Sequence, residues 1–406
     1  MKSRFLACAI LALPLASLAL LFHAQTLTID PALTAHEWGT FTSIAGHDGR
    51  AADWLPLTGS PDLPAFVEHF QTPNFKAGVR GTVRMETPVL YFYTNHTTTL
   101  SVHVSFAQGL ITEWYPHADR VEPVGLQMQA RMAAYYNDWN RLQKQPDSSI
   151  SWDSIKLEPG SSATLPREGS TNHYYAARQT SSTPLRIKTQ GGEQTEKFLF
   201  YRGVASFSVP VSVKLASDDK IFTQNLSAQE IPAMLLFERR GDKLGFRVGD
   251  TSVAQPTLDP PVLNATMDSL KLAVEDMLIA QGLYQDEAQA MFETWRDSWF
   301  EEGSRLLYIV PREFVDSVLP LTISPAPAQT VRVFVGRMEL VTSATQHAVE
   351  QALATRDHTT LARYNRFLIP ILETMIANEK NSAQKAQLSE YLKNVSNPQI
   401  TLNTSN

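Results

Sequence analysis

The sequence predicts an α+β protein with a β-sandwich-like N-terminal part, which carries one inserted helix, followed by a mixed helical part with a few strands. Short β-branched and aromatic runs separated by Pro, Gly, Asn and Ser fill residues 27–255, and segments with apolar residues at helical spacing follow residue 262. The stretch 251–261 between them holds three prolines, which can neither continue a helix nor join a strand ladder. We therefore predict a β-rich domain over 27–255 and a mixed α/β helical domain over 262–395.

Residues 1–25 have the pattern of a signal peptide. Lys2 and Arg4 precede an apolar run that extends to Phe22, and Ala24 lies close to the expected cleavage point. We expect a periplasmic or secreted mature chain that is soluble and has no integral membrane span after cleavage. Retention of the leader as an anchor is the alternative, because the apolar run is almost long enough to cross a bilayer.

Composition excludes several classes of function. The only cysteine, Cys8, lies in the leader, so the mature chain has no disulfide and no thiolate nucleophile. The chain has 35 Lys and Arg against 41 Asp and Glu, a net charge of -6, and its one basic pair is Arg239-Arg240. Nucleic acid is therefore not an expected partner, since phosphate binding requires a basic surface. No serine-hydrolase elbow, phosphate loop or dinucleotide fingerprint occurs.

The N-terminal part contains several predicted strands and one helix. Residues 87–94 form a β-branched and aromatic run that is too apolar to have a solvated face, which is typical of a central strand, and residues 100–106 alternate strictly. We expect these two strands to pair through a turn at 95–97. Further strands are predicted at 197–201, 205–215, 233–238 and 244–248, with Gly241 in the hairpin between the last two. A helix is predicted over 125–143.

The C-terminal part alternates helices with two strands. Helices are predicted over 265–281, capped by Asn264, and over 287–302. A buried strand at 304–311 and an alternating strand at 330–341 flank a short helix that begins at Pro311. Helices then cover 344–354, 357–377 with a break at Pro370, and 382–393, and residues 396–406 form a flexible tail.

The most suggestive segment for chemistry extends from Ala35 to Arg50. In a strand, His36 and Trp38 share one face while Glu37 and Gly39 share the other. A divalent metal such as zinc could bind to histidines and acids drawn from His36, His47, His69, Asp48 and Asp53, with Glu37 as ligand or general base. The alternative is that His36 and Glu37 are hydrogen-bonded structural residues and that Asp48-Gly49 is a plain turn.

A hydrolase that uses a pair of carboxylates is a second possibility. Its candidate catalytic residues are Glu37 and Glu86, with Glu113 and Glu301-Glu302 as further acids. An ion pair between Glu86 and Arg84 is the structural alternative. Glu301 and Glu302 end the helix predicted over 287–302, and a solvated helix end is the simplest interpretation. Acids at that end oppose the helix dipole, so we expect a nearby arginine, drawn from Arg305, Arg312 and Arg337.

Aromatic side chains could line a ligand groove. Trp38 and Trp299 are the ligand-binding candidates, and Trp299 shares a helical face with Phe292 and Trp295. Burial of that face in the core is the alternative interpretation.

Four segments resemble a family of exported bacterial proteins of uncharacterised activity: Ala-His-Glu-Trp-Gly-Thr-Phe-Thr-Ser from Ala35, Val-Arg-Met-Glu-Thr-Pro-Val-Leu-Tyr-Phe-Tyr from Val83, Phe-Leu-Phe-Tyr-Arg-Gly from Phe198, and Ser-Trp-Phe-Glu-Glu-Gly from Ser298. The resemblance spans most of the mature chain. It implies one shared architecture and a bacterial, extracytoplasmic setting, and it implies no activity, cofactor or catalytic residue.

Three functional hypotheses follow. The first is an exported protein that binds an envelope or extracellular ligand, recognised by an aromatic-lined groove without converging titratable groups. The second is a metal-dependent or carboxylate-based hydrolase, which requires His36, Glu37, His47 and Glu86 to converge on one pocket. The third is a structural component of the envelope, which requires a large exposed apolar patch.

Overall fold

The computed structural model describes residues 28–57, 62–69, 79–123, 147–169, 172–252 and 255–396. The fold is α+β, as predicted, and the N-terminal strands form sheets. The predicted signal peptide (1–25), the inserted helix (125–143) and the tail from residue 397 lie outside the described residues. Within the described ranges, no helix is both long enough and apolar enough to cross a membrane.

A nine-stranded sheet forms the centre of the protein. With strands numbered in chain order, its spatial order is β14 (Lys243–Val248), β13 (Met234–Arg240), β16 (Gly303–Ile309), β18 (Ala326–Leu340), β1 (Ile29–Ile44), β3 (Val83–Tyr93), β10 (Leu199–Ala205), β5 (Gly109–Tyr115) and β2 (Glu68–His69). The middle strand, β1, runs parallel to β18 and antiparallel to β3. As in any β-strand, the side chains of β1 point alternately to the two faces of the sheet.

One face of this sheet packs against a second sheet of six strands, and we call it the sandwich face. The six strands are β17 (Leu321–Ser324), β4 (Thr98–Phe106), β7 (Ser148–Leu157), β8 (Leu185–Thr189) and β9 (Gly192–Glu196), with β6 (Arg120–Glu122) paired to β7. Phe41 and Leu90 of the large sheet share one buried core with Val104 and Trp152 of the smaller sheet. A third sheet contains β11 (Val211–Leu215), β12 (Ile221–Asn225) and β15 (Thr257–Leu258).

The opposite face of the large sheet is covered by helices, and we call it the helix face. Helices α1 (Met267–Ile279) and α2 (Gln285–Trp299) and the 3-10 helix His173–Arg178 pack on it. Leu278 and Trp299 of the helices share a core there with Trp38 and Tyr91 of the sheet. Thr266, rather than the predicted Asn264, caps α1, because its side chain accepts a hydrogen bond from the Ser269 amide.

The remaining helices follow β16, and all of them except the first form a C-terminal layer. They are α3 (Arg312–Val318), α4 (Ser343–Thr355), α5 (His358–Arg363), α6 (Leu368–Asn378) and α7 (Ser382–Ser396), with the 3-10 turn Asn365–Phe367 between α5 and α6. The predicted helix over 357–377 is interrupted at that turn, and Pro370 lies in the first turn of α6, where a proline needs no amide donor. Helices α4 to α7 share a core with Ile44 and Trp54, whereas Val315 of α3 packs into the core of the sandwich face.

The predicted hairpin between residues 87–94 and 100–106 is wrong. β3 pairs with β1 and β10, whereas β4 pairs with β7 and β17 in the other sheet. The two strands have different burial: β3 is buried on both faces for ten of its eleven residues, and β4 alternates between buried and more exposed residues. A two-sided strand belongs in the central layer and an alternating strand in an outer layer, so the turn at 95–97 crosses between layers.

The predicted boundary at 251–261 does not separate two sheets. β16 and β18, from the predicted domain 262–395, lie in the large sheet between β13 and β1, from the predicted domain 27–255. β17 likewise joins β4 in the six-stranded sheet. Parallel pairing of β1 with β18 requires a long crossover, and most of the chain forms it.

Candidate ligand-binding site

The predicted metal ligands are spread over the molecule. His36 is buried on β1, and His69 is on β2, four strands away in the sheet, which corresponds to about 19 Å at the usual strand spacing. His47 and Asp48 are exposed in the turn after β1, where Asp48 Oδ1 accepts a hydrogen bond from the Arg50 amide. Within the described residues, no three His, Cys, Asp or Glu side chains are grouped so as to hold a metal ion.

His36 has a structural partner on α2. Its Nδ1 lies 2.8 Å from Oε2 of the fully buried Glu287, whose other oxygen accepts a hydrogen bond from the Tyr93 hydroxyl at 2.7 Å. The Tyr284 amide donates to the same carboxylate at 2.8 Å. This cluster attaches the start of α2 to the middle strand of the sheet.

Glu37 lies on the sandwich face, so the alternation predicted for this segment is confirmed. Its carboxylate accepts hydrogen bonds from the Tyr201 hydroxyl and from Arg332 Nε, the latter at 2.5 Å. Glu86 lies on the helix face, where it contacts Arg84 and Arg366. Because the sheet separates the two carboxylates, Glu37 and Glu86 cannot act together on one bond.

Glu86 forms an ion pair, as in the structural alternative. Its carboxylate lies 3.2 Å from Arg84 Nε and 2.5 Å from Arg366 Nη2. Burial by itself raises the pKa of Glu86, but Arg366 and Arg84 outweigh it and hold that pKa at about 2. Glu86 is therefore ionised at neutral pH and cannot serve as a general acid there.

Glu86 belongs to a larger set of polar side chains, which we call the polar row. Its members lie on the helix face of six neighbouring strands and are all buried: Arg305, Arg337, Glu339, Thr40, Thr42, Arg84, Glu86, Arg202 and Glu113. Apolar residues such as Val333 and Val89 occupy the same face further along the same strands. The helix face is therefore apolar over one part and polar over another.

Ion pairs link the members at the β5 end of the row. Arg202 lies between Asp62 and Glu113, at 2.8 Å and 3.0 Å respectively. Asp62 also lies 3.5 Å from Arg84. Burial raises the pKa of Asp62, but the charge and hydrogen bonds of Arg202, together with the charge of Arg84, outweigh it and hold that pKa well below its usual range.

At the β16 end, arginines hold the carboxyl end of α2. Arg305 lies 3.0 Å from Glu339 and donates to the Glu301 and Glu302 carbonyl oxygens at 2.9 Å and 2.7 Å. Arg337 Nη2 lies 2.8 Å from Glu301 Oε1. The predicted arginine beside Glu301 and Glu302 is thus confirmed. Arg305 binds the carbonyl oxygens of both residues, and Arg337 binds the carboxylate of Glu301.

Several donors of this region have no hydrogen-bond partner among the described residues. They include Arg337 Nε and Nη1, the hydroxyls of Thr40 and Thr42, and the indole Nε1 atoms of Trp295 and Trp299. Thr42 pairs in register with Arg337 on one side and with Arg84 on the other, so the unpartnered hydroxyl lies between two arginines. Buried polar groups are nearly always paired with protein, water or ligand, so this concentration indicates a place where other molecules supply acceptors.

Trp38 and Trp299 are both buried on the helix face, where their rings belong to the core. Trp299 stacks on Trp295 with ring centroids 6.5 Å apart. Both rings are therefore packed in the core, as in the alternative interpretation. The Trp299 indole Nε1 is nevertheless one of the unpartnered donors.

His173 was missed by the sequence analysis. Its ring lies 5.9 Å from the Trp295 ring, and it is close enough to Asp62 and Glu86 to interact electrostatically with both. Burial lowers the pKa of His173, and Asp62 opposes that effect. The local sequence around residue 173 carries no signal for this placement, which depends on how the 3-10 helix packs against α2.

One described cavity with basic and aromatic lining lies elsewhere. It has a volume of about 450 Å³ and is lined by Arg167, Tyr175 and Arg178, among others. Arg178 is already bound to the fully buried Glu196 and to the Pro166 carbonyl oxygen. Its polar groups are therefore used within the protein, unlike those of Arg337.

No protein-family model matches the chain, and no curated protein matches it.

Proposed function

We propose that this is an exported protein that binds a small envelope or extracellular ligand on the helix face of its central sheet. The supporting observation is the group of buried, unpartnered donors around Thr42 and Arg337. Export is supported by the leader pattern of residues 1–25.

The energetics favour an occupant. A buried donor left without an acceptor costs about 1–3 kcal/mol, and several such donors lie together on adjacent strands. Thr40 and Thr42 face the same side of the middle strand, beneath a helix layer, so solvent cannot reach them as it reaches a surface hydroxyl. A ligand rich in oxygen acceptors would satisfy several of these donors at once.

Binding is favoured over hydrolysis by the state of the carboxylates. The acids of the polar row are each in contact with at least one arginine: Glu86 with Arg84, Glu113 with Arg202, and Glu339 with Arg305. Such acids serve poorly as proton donors, because a neighbouring positive charge stabilises their ionised form. The hydrolase hypothesis required His36, Glu37, His47 and Glu86 to converge on one pocket, and they do not.

Native mass spectrometry tests the proposal. The full chain, expressed with its leader in an exporting bacterial host and purified without denaturation, should be heavier than the denatured chain by the mass of a bound small molecule. The excess should disappear in the double variant Thr40→Val/Thr42→Val. It should persist in Ser43→Ala, which removes a buried hydroxyl from the sandwich face of the same strand. Equal native and denatured masses in all three proteins would contradict the proposal.

A further inference from the structure

The environment of Arg337 suggests the charge of the ligand. The Arg337 side chain is fully buried, yet two of its three guanidinium nitrogens have no partner among the described residues. Its third nitrogen, Nη2, contacts Glu301 and the Ser298 carbonyl oxygen and lies 3.3 Å from Glu339 Oε2. Glu339 is shared, because Arg305 also binds it through two nitrogens.

Other cations adjoin the same place. The guanidinium carbons of Arg337 and Arg366 lie 4.7 Å and 5.1 Å from the centroid of one ring, that of Phe367. Burial, together with the charge of Arg305, lowers the pKa of Arg337 to about 10. Glu301 and Glu339 oppose these effects but do not fully offset them, so a further negative group beside Arg337 would stabilise its charge.

A neutral acceptor would leave this imbalance in place. Water or a sugar hydroxyl can pair with Thr42 and with the guanidinium, but neither neutralises charge in a site without bulk solvent. A carboxylate can both pair with these donors and neutralise the positive charge, since its two oxygens accept several hydrogen bonds and arginine is well suited to bind it.

We propose that the ligand carries a carboxylate, which binds between the unpartnered nitrogens of Arg337 and the hydroxyl of Thr42. This inference rests on the proposed binding function and adds the chemical class of the ligand. The Thr42 hydroxyl donates a hydrogen bond to one carboxylate oxygen, and Arg337 donates charge-assisted hydrogen bonds to the carboxylate.

The test compares acetate with acetamide, which have the same shape and differ in charge. Both are small enough to enter a buried site. The thermal unfolding midpoint of the full-length mature protein is measured against increasing concentrations of each compound, at an ionic strength held constant with sodium chloride. The variants are Arg337→Gln, Thr42→Val and the control Ser43→Ala.

We expect acetate to raise the midpoint in a saturable way, with an apparent affinity about tenfold higher than that of acetamide. The effect should be retained in Ser43→Ala and lost in Arg337→Gln and in Thr42→Val. If Arg337→Gln does not fold, Thr42→Val decides the result, because valine has the shape of threonine.

Two results would overturn the inference. If acetamide stabilises as well as acetate and both effects depend on Thr42, a ligand site exists but it does not select a carboxylate, so the binding function stands and the inference fails. If acetate has no effect beyond that of chloride, or acts equally on Thr42→Val, the carboxylate site is absent, and the native mass measurement alone then decides the binding function.

Discussion

Arg332 and Arg337 lie on the same strand, β18, and both are buried, but they face opposite sides of the sheet. On the sandwich face, Arg332 is bound to Glu37 and to Asp316. On the helix face, Arg337 has two unpartnered nitrogens and shares its nearest buried carboxylate with Arg305. Their pKa values shift in opposite directions: although burial lowers both, Glu37 raises the pKa of Arg332, while Arg305 adds to the lowering for Arg337.

This difference separates a structural ion pair from a candidate binding site. A buried charge that serves stability alone needs a matched partner, and Arg332 has one in Glu37. A buried cation with spare donors is costly unless a ligand completes it. Burial alone therefore does not distinguish the two arginines, but their partners do: among the described residues Arg332 leaves only Nη2 without a partner, whereas Arg337 leaves both Nε and Nη1.

The largest expected effect is that of Arg332→Gln. This variant leaves the carboxylate of Glu37 buried without its cation, and we expect the free energy of unfolding to fall by about 4 kcal/mol. Arg337→Gln should cost only about 1–2 kcal/mol, because Arg305 still binds Glu339 and Glu301 is partly exposed. Urea unfolding measures the loss of stability in each variant. A loss in Arg332→Gln that is no larger than that in Arg337→Gln would contradict a structural ion pair on the sandwich face and an incompletely paired arginine on the helix face.

Gly39→Ala should also be strongly destabilising. A methyl group at residue 39 would overlap the Thr87 carbonyl oxygen and lie 2.6 Å from a ring carbon of Phe334, on the closely packed sandwich face. We expect a loss of about 3 kcal/mol. Gly46→Ala is the matched control, since a methyl there comes no closer than 3.3 Å to its neighbours. Similar thermal midpoints for the two variants would show that the sandwich face is looser than described.

Acid should weaken the fold through Glu86. Its pKa falls from 4.5 to about 2 on folding, so the stabilisation is complete above about pH 5 and is lost as pH decreases through 4.5 towards 2. The loss is about 3 kcal/mol. Glu301 has the opposite sign, because burial raises its pKa on folding. Urea midpoints between pH 6 and pH 2.5 should therefore decrease less steeply in Glu86→Gln than in the wild type, and an unchanged slope would contradict the assignment.

The smallest effect is expected for Thr42→Val. Since the Thr42 hydroxyl has no partner among the described residues, its replacement by a methyl group should not lower the free energy of unfolding of the ligand-free protein. Thr345→Val is the matched control: Thr345 is equally buried, and its hydroxyl contacts Thr342 and Arg240. We expect it to cost about 1–2 kcal/mol more than Thr42→Val. Equal losses in chemical denaturation would show that Thr42 is bonded within the protein.

The sequence was sufficient for the local features of the fold. The alternation of His36 and Glu37, the hairpin around Gly241 and the arginine beside Glu301 all follow from short-range rules of strand periodicity, turn chemistry and helix dipoles. The central position of β3 was also predicted from the β-branched and aromatic run that begins at Thr87.

The long-range features could not be read in the same way. β3 and β4 are adjacent in sequence but belong to different sheets, and β18 joins β1 across nearly three hundred residues. The polar row depends on that pairing, because it brings Arg337 beside Thr42. His173 reaches Trp295 through helix packing, for which neither sequence segment carries a pattern.

A high-resolution crystal structure of the protein, purified without denaturation from an exporting host, would test the ligand site most directly. We predict electron density for a non-protein group on the helix face, with a carboxylate within hydrogen-bond distance of Arg337 Nε or Nη1 and of the Thr42 hydroxyl. Ordered water alone at these atoms, unchanged after soaking with acetate, would contradict a ligand site on this face.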